Sequence, residues 1–225
     1  MNTHTLMQLD HVNFAYGAQE VLRDVSCRFE AGKVYVIIGR SGAGKTTLLS
    51  LMSGLTEPTD GTITVGGVDL KTMDPCTYRS GRIGVIFQSY NLLSKLTAVE
   101  NVELSMEIAK QNARAPIERS SLIQRAYTLL EQVGLTRDEA DRRILKLSGG
   151  QQQRVAIARA LSYGPEIILA DEPTGNLDEH TQAAIIDILT DLARQGKCVI
   201  VVTHSPAVAG RADEQIRLET INRVS

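Results

Sequence analysis

The chain has 225 residues, 43% of them hydrophobic, which is enough for one domain with a sizeable core. The formal net charge is -2, so bulk electrostatics do not indicate a nucleic-acid binder. No stretch approaches the roughly 18 continuous apolar residues of a membrane span. The first residues lack the basic and apolar regions of a signal peptide. Three cysteines without metal-ligand spacing predict reduced thiols in a cytosolic protein.

The N-terminal part of the chain predicts short strands joined by turns. The candidate strands lie at residues 7–14, 21–29 and 61–65, with glycine-containing turns at residues 16–18 and 65–67. We expect these strands to form an antiparallel sheet beside the core. Tyr16, next to the first turn, could stack on an adenine ring, although a tyrosine near a turn is usually just packing.

A glycine-rich turn follows a run of β-branched and aromatic residues at 34–38, which is typical of a strand buried on both faces of a parallel sheet. Residues 46–52 then predict a helix that stops at Gly54. The turn matches the pattern G-x-x-x-x-G-K-[ST], whose backbone N–H groups surround phosphates. We expect Lys45 to reach the β- and γ-phosphates and the Thr46 hydroxyl to bind Mg²⁺. The candidate phosphate-binding residues are Gly39, Arg40, Ser41, Gly42, Ala43, Gly44, Lys45, Thr46 and Thr47.

Further core strands are predicted at residues 83–87, 167–170 and 199–203. A helix at residues 180–194 separates the last two, which makes a βαβ unit and therefore a largely parallel core sheet. We expect a strand-like segment at residues 215–218, with no regulatory domain appended beyond it.

Polar side chains follow the predicted core strands, at the edge where α/β proteins hold ligands. Asp171 is the candidate Mg²⁺ ligand, through water, and Glu172 is the candidate base that polarises an attacking water. His204 could hydrogen-bond a γ-phosphate, although a lone histidine is more often structural. Gln88 could sense Mg²⁺ or the attacking water without titrating.

A helical insertion is predicted between about residues 90 and 163. Its candidate helices are residues 98–109 and 117–133, with Pro116 near the first turn of the second and Gly134 at its end.

A second phosphate-facing element begins at the Leu-Ser-Gly-Gly-Gln segment, residues 147–151. A Ser-Gly-Gly turn before a helical pattern directs N–H groups and a helix dipole at one spot. The chain already has a phosphate loop, so this second element predicts a nucleotide that is bound on two sides. Its candidate residues are Ser148, Gly149, Gly150 and Gln151.

Together these motifs resemble the nucleotide-binding subunits of ATP-binding cassette (ABC) transporters, in family order and over nearly the whole chain. The resemblance implies an α/β fold in one ABC ATPase domain, residues 1–225. That fold has a P-loop NTPase core with a mainly parallel sheet, an N-terminal antiparallel β-subdomain and a helical subdomain at about residues 90–163. The matches are Tyr16 for the A-loop, residues 39–47 for Walker A, Gln88 for the Q-loop, residues 147–151 for the signature, residues 167–172 for Walker B, Asn176, Leu177 and Asp178 for the D-loop, and His204 for the switch histidine.

The resemblance also implies a mechanism that needs two chains. Two copies pair head to tail, and each ATP lies between the Walker A of one copy and the signature of the other. Ser148 and Gly150 then face the partner's γ-phosphate, Asp178 lies near the dimer axis, and Glu172 with His204 hydrolyses ATP. The implied cofactors are ATP and Mg²⁺, with Thr46, Gln88 and Asp171 as the metal set. The implied partners are membrane permease subunits at the cytoplasmic face of the cell membrane, and no nucleic acid.

Within the family, residues 87–93, 96–102 and 147–161 resemble the lipoprotein-release and macrolide-export group, which implies export or extraction of a hydrophobic or amphipathic substrate. Cassettes for antimicrobial-peptide resistance, haem export and cell division share these features, so the substrate cannot be read from them. A cassette that regulates or signals to a membrane complex without transport is the alternative. The chain departs from the commoner pattern at Arg40, where proline is frequent, and at Ser205, where aspartate is frequent.

Overall fold

The computed structural model describes residues 5–113, 118–175 and 177–224. The strands in chain order are β1 (Thr5–Tyr16), β2 (Gln19–Glu30), β3 (Val34–Ile38), β4 (Asp60–Val65), β5 (Val68–Asp69), β6 (Ile83–Ile86), β7 (Ile167–Asp171), β8 (Cys198–Val202) and β9 (Glu214–Arg217). The helices are α1 (Lys45–Met52), α2 (Pro75–Thr77), α3 (Ala98–Asn112), α4 (Arg119–Gln132), α5 (Arg137–Ala140), α6 (Gly149–Leu161), α7 (Glu179–Arg194), α8 (Pro206–Ala209) and α9 (Leu218–Ile221).

The core sheet has the strand order β6-β7-β8-β3-β9, and each of its strand pairs is parallel. Its central strands are buried on both faces. In β3, Val34 and Val36 belong to one hydrophobic cluster, whereas Tyr35 and Ile37 belong to the cluster on the other side. This two-sided burial is why the strand has a continuous apolar run, and it confirms the predicted parallel core.

A second sheet, with the order β2-β1-β4-β5, is antiparallel. This confirms the predicted N-terminal sheet, while the two-residue strand β5 was not anticipated. Met7 and Leu9 of β1 share a hydrophobic cluster with Leu48 and Leu51 of α1. Helix α1, which begins at the phosphate loop, therefore packs together with both sheets.

Helices α3 to α6 fill the stretch that was predicted to be helical. A capping box between Thr97 and Glu100 begins α3. The predicted start of the second helix at residue 117, together with Pro116, lies outside the described residues. Helix α4 is followed by Gly134, whose φ of 84° is the left-handed conformation that favours glycine after a helix.

Parallel pairing places the carboxyl ends of β3, β6, β7 and β8 at the same edge of the core sheet. The phosphate loop follows β3, and Gln88 lies just beyond β6. Asp171 ends β7, Glu172 follows it directly, and His204 lies two residues after β8. Topology alone thus gathers these predicted residues at one edge, as in other α/β proteins that bind ligands there.

Candidate nucleotide-binding and catalytic site

The phosphate loop joins β3 to α1 through two glycines in left-handed conformations, Gly42 at a φ of 81° and Gly44 at 94°. A Cβ atom at Gly44 would lie 3.0 Å from side-chain carbons of both Val21 and Leu22, so this position also excludes a side chain on steric grounds. Because Gly44 is the N-cap of α1, no side chain caps the first turn of that helix. The first N–H groups of α1 are therefore available to an anion.

Lys45 lies back over the loop that precedes it. Its Nζ atom donates to the carbonyl oxygens of Gly39, at 2.6 Å, and Arg40, at 2.8 Å. The ammonium group is thus held at the loop, where it adds positive charge to the N–H groups of α1. An incoming phosphate would compete with these two carbonyls for the same donor.

Asp171 ends β7 beside the first turn of α1. The Thr46 hydroxyl donates to Asp171 Oδ2 at 3.4 Å. Burial raises the pKa of the Asp171 carboxyl above its usual range, and the neighbouring Glu172 carboxylate raises it further. The Thr46 hydroxyl and Lys45 act in the opposite direction. A cation bound here would relieve the penalty on the ionised carboxylate.

Thr46 and Asp171 fit a magnesium site. Their hydroxyl and carboxylate oxygens are hard ligands of the type Mg²⁺ prefers. Within residues 5–113, 118–175 and 177–224, no group of three or more histidine, cysteine, aspartate or glutamate side chains could hold a metal. An ion at Thr46 and Asp171 would take its other ligands from phosphate, water and the Gln88 amide oxygen in the same cleft, and phosphate with water commonly completes a Mg²⁺ site beside a nucleotide.

Glu172 is fixed at both carboxylate oxygens. Oε2 accepts a hydrogen bond from the Thr203 hydroxyl at 2.9 Å, and Oε1 lies 2.7 Å from Nδ1 of His204. The Glu172 backbone has a φ of 45°, in the left-handed region that a non-glycine residue seldom adopts. Its N–H donates to the Val202 carbonyl at 2.8 Å. The side chain is 12% exposed and that of His204 is 76% exposed, so a largely buried carboxylate is bonded to an accessible imidazole.

Thr203 is a site residue that the sequence analysis missed. Its hydroxyl donates to Glu172 and accepts from the Ser205 N–H at 3.0 Å, so it joins the residue after β7 to the turn after β8. The only signal in the sequence was a hydroxyl residue at the end of a predicted strand.

The predicted residues of the local site line one cleft of about 450 Å³. Tyr16, 59% exposed, forms one wall and packs edge-on against Phe14 with ring centroids 4.8 Å apart. Gln19 and Val21 also line the cleft and were not predicted. Gly39, Arg40 and Ala43 belong to the phosphate loop without lining the cleft. The cleft residues are Tyr16, Gln19, Val21, Ser41, Gly42, Gly44, Lys45, Thr46, Thr47, Gln88, Asp171, Glu172 and His204.

The Leu-Ser-Gly-Gly-Gln segment lies outside this cleft. Ser148 caps α6, and its hydroxyl accepts from the Gln151 N–H at 3.3 Å while Gln151 Oε1 accepts from the Ser148 N–H at 2.8 Å. Gln151 Nε2 also donates to Glu139 of α5 at 2.6 Å. Gln151 therefore stabilises the turn through hydrogen bonds within its own chain, whereas Ser148 and Gly149 remain exposed.

Gly150 lies against the start of α7. A Cβ atom at Gly150 would lie 2.5 Å from Cγ2 of Thr181, so the position excludes even alanine without a shift. The carboxylate of Asp178 caps α7 by accepting from the Thr181 N–H at 3.0 Å and from its hydroxyl at 2.6 Å. The structure thus brings the predicted signature next to Asp178 of the predicted D-loop. Asn176 lies outside the described residues.

The loop that carries Gln88 is held by the signature helix. Tyr90 and Asn91 have φ values of 60° and 51°, and the carbonyl oxygens of both accept hydrogen bonds from the Arg159 guanidinium of α6. The Tyr90 oxygen lies 3.0 Å from Arg159 Nη2. Two consecutive left-handed residues are costly for non-glycine side chains, so Arg159 stabilises a loop conformation that the backbone alone disfavours.

The fold and this cleft define a P-loop nucleotide-hydrolysing domain. The family model described as ABC transporter matches residues 22–175, and the chain belongs to that family. It is the ATP-binding subunit of a transporter and an ATPase. Within the described parts of the chain, no helix is long and apolar enough to cross a membrane.

Known proteins resemble the chain over almost its whole length. The uncharacterized ABC transporter ATP-binding protein YclH of Bacillus subtilis is 41% identical over 217 residues, covering 95% of this chain and 93% of the relative. The macrolide export ATP-binding/permease protein MacB of Salmonella typhimurium is 44% identical, covering 95% of this chain but 33% of MacB. The dimeric structure of the ABC transporter cassette MJ0796 has a TM-score of 0.85 at 35% identity, covering 95% of both chains. A dimeric post-hydrolysis state of MJ0796 with ADP and Pi has a TM-score of 0.84.

Proposed function

We propose that this chain hydrolyses ATP in the cleft between its phosphate loop and its strand-end carboxylates, and that the cycle drives a separate membrane permease. The single ABC ATPase domain, residues 1–225, would carry a helical subdomain at about residues 90–163. The observation that carries the proposal is the position of Glu172. It lies in the cleft wall next to the phosphate loop, with donors fixed on both oxygens.

The phosphate loop binds the nucleotide through the N–H groups of α1 and through Lys45, which transfers from the Gly39 and Arg40 carbonyls to the β- and γ-phosphates. Tyr16 stacks on the adenine ring. Mg²⁺ held by Thr46, Gln88 and Asp171 would offset the negative charge of the phosphates. We infer that the γ-phosphate lies within the cleft that Glu172 and His204 line.

Glu172 acts as the general base. As a water oxygen bonds to the γ-phosphorus, its proton passes to the Glu172 carboxylate, and the bridging oxygen leaves with ADP. In the structure Oε1 is already engaged by His204. A γ-phosphate is a competing acceptor for the imidazole, so its arrival draws His204 away and frees Oε1 for the water. Thr203 keeps the other oxygen in place during this exchange.

The second face of the nucleotide comes from a second copy of the chain. The exposed Ser148 and Gly149 begin a helix whose first turn contains no acidic residue, and they lie outside the cleft of their own chain. The N–H groups of Gly149 and Gly150 in that first turn therefore suit a phosphate that another chain presents. We infer a head-to-tail dimer in which ATP binds Ser148, Gly149, Gly150 and Asp178 of the opposite copy. The dimeric MJ0796 cassettes support this inference.

The permease contacts a groove beside the Gln88 loop. The groove has a volume of about 340 Å³, and the exposed Leu55 contributes an apolar wall. Its other lining residues include Arg79, Phe87, Asn91, Ser105 and Tyr163. A short amphipathic helix from a membrane subunit fits such a surface. This partner would place the chain at the cytoplasmic face of the cell membrane.

The transported substrate is hydrophobic or amphipathic, and the direction is export or extraction. The name of the MacB relative, a macrolide export protein, supports this class. In this proposal the permease is a separate subunit. No nucleic acid is involved.

One experiment tests the proposal as a whole. The purified chain is assayed for phosphate release and, by size-exclusion chromatography, for ATP-dependent dimerisation, beside Lys45→Ala and the surface control Lys110→Ala. We expect activity and dimerisation in the parent chain and the control only. Affinity purification from membranes should recover an integral membrane subunit. Recovery of a DNA or ribosome complex in its place would contradict the transport assignment.

A further inference from the structure

The segment from Leu218 to Val224 connects the two sheets on the side of the phosphate loop. Leu218 is fully buried, and its neighbour Glu219 accepts a hydrogen bond from the Arg40 N–H at 2.6 Å through Oε1. Asn222 accepts from the Arg23 N–H and donates to the Val21 carbonyl, both at 2.9 Å. The segment therefore bonds to the phosphate loop at one end and to β2 at the other.

The backbone of Arg40 is held at both its N–H and its carbonyl group. Glu219 accepts from its N–H, and the Arg40 carbonyl oxygen accepts from Lys45 Nζ at 2.8 Å. Glu219 Oε1 also lies 3.4 Å from the place where a Cβ atom at Gly39 would stand. The segment after β9 thus contacts the loop at Gly39 and at the Arg40 N–H.

A carboxylate beside a phosphate-binding loop is electrostatically unfavourable for an anionic ligand. The Arg40 N–H holds the pKa of the Glu219 carboxyl below its usual range, so the group is ionised at neutral pH. An ionised acceptor makes a stronger hydrogen bond to a backbone N–H than a neutral one does. Any contribution of Glu219 to nucleotide binding must therefore come from the geometry that its hydrogen bond imposes on the loop.

We propose that Glu219 is a positioning residue of the phosphate loop, which fixes the Arg40 peptide so that Lys45 and the loop are preorganised for the nucleotide. The inference rests on the proposed nucleotide site. Glu219 does not line the cleft and acts only through Arg40. The segment from Leu218 to Val224 thereby contributes to nucleotide binding indirectly, through the phosphate loop.

The backbone bond gives the proposal a specific test. Proline at position 40 has no N–H and fixes φ near -65°, so it would replace the restraint that Glu219 supplies. Alanine at position 40 keeps the N–H and removes only the guanidinium. The effect of Glu219→Ala should consequently persist in the Arg40→Ala background and vanish in the Arg40→Pro background.

The experiment measures the Kd for ATP in the full chain, and it measures KM and kcat separately. Glu219→Ala should raise the Kd and KM for ATP about tenfold, with kcat within about twofold, because one charge-assisted hydrogen bond is lost. Glu219→Gln, whose amide oxygen still accepts, should recover part of that loss. Glu214→Ala is the matched control, since its carboxylate bonds Lys33 Nζ at 2.6 Å and does not contact the loop.

The outcomes separate this inference from the proposed function. If Lys45→Ala leaves ATP affinity unchanged, the nucleotide site itself is misplaced. If Lys45→Ala loses affinity while Glu219→Ala matches Glu214→Ala, the positioning role is refuted. A tenfold loss from Glu219→Ala that remains in the Arg40→Pro background also refutes it. Should Arg40→Pro fail to fold, the graded series of glutamate, glutamine and alanine at position 219 still decides, since a purely structural role would lower kcat and stability without raising KM.

Discussion

Oε1 of Glu172 lies 2.7 Å from Nδ1 of His204, and this contact joins the residue after β7 to the residues after β8. The base and the imidazole are therefore one hydrogen-bonded unit before any nucleotide arrives. An imidazole that bonds the base can leave it only for a better acceptor. The γ-phosphate is such an acceptor, and this relationship motivates the first two predictions.

Glu172→Gln should lower ATP turnover by about 10²- to 10⁴-fold, because an amide cannot accept the proton of the attacking water. ATP binding should persist, since the phosphate loop is unchanged, and an ATP-bound dimer should accumulate. Single-turnover phosphate release and size-exclusion chromatography measure the two effects. Glu131→Gln, on an exposed part of α4, is the matched control. Wild-type turnover in the Glu172 variant would show that another group is the base.

Thr203→Val should reduce kcat about tenfold while leaving KM within about twofold. Valine has nearly the same shape as threonine but lacks the hydroxyl that holds Glu172 Oε2 and accepts from the Ser205 N–H. The catalytic carboxylate then loses one of its two fixed partners. Thr203→Ser keeps the hydroxyl and should restore most of kcat. Steady-state kinetics of the two variants test this expectation. Equal losses of kcat in both would indicate that Thr203 acts through packing instead.

Asp171→Asn should stabilise the nucleotide-free chain while abolishing Mg²⁺-dependent hydrolysis. The folded-state pKa of Asp171 is raised above its unfolded value, so the ionised group opposes folding once the pH exceeds the unfolded value. The penalty increases as the pH rises toward the folded pKa and is constant above it. Thermal unfolding without metal should therefore show a Tm advantage for the Asp171→Asn variant that is larger near pH 8 than near pH 4. A Tm advantage that is the same near pH 4 and near pH 8 would contradict this effect of burial.

Gly150→Ala should destabilise the chain by about 1–3 kcal/mol, because its methyl group would overlap Cγ2 of Thr181 at 2.5 Å. Thr181→Ser removes that methyl group and keeps the hydroxyl that bonds Asp178. The double variant should regain stability in chemical denaturation. It should still hydrolyse ATP slowly, since the extra methyl group stands on a residue that is proposed to bind the phosphate of the other copy's ATP. Full recovery of ATPase activity would argue that Gly150 is required only for packing.

Tyr16→Ala should raise the KM for ATP about tenfold with little change in kcat, because base–aromatic stacking contributes about 1–3 kcal/mol. Tyr16→Phe keeps the ring and should behave like the parent. The ring is 59% exposed, so its removal should leave the unfolding free energy nearly unchanged. An unaltered KM in the alanine variant would mean that the ring only packs against Phe14.

The sequence predicted the elements whose burial follows a simple pattern. Strand β3 was predicted with its observed limits because both faces are buried, and β7 and α7 differ from their predicted limits by one residue. The motif residues of the cleft were predicted because short segments carry them. Thr203, Arg159 and Glu219 were missed because each acts through a partner far away in the chain. Glu219, for example, is 179 positions from Arg40, and the sequence around either residue does not indicate a contact with the other.

Arg159 stands near the end of the thirteen-residue helix α6, whereas Ser148 caps its beginning. A helix of that length is a stiff rod of about 20 Å. The two carbonyls that Arg159 holds belong to the loop carrying Gln88, so α6 connects that loop to the turn at Ser148. The surface proposed to meet the other copy's ATP and the surface beside the groove thus lie at opposite ends of one helix. We expect a displacement at either end to displace the other.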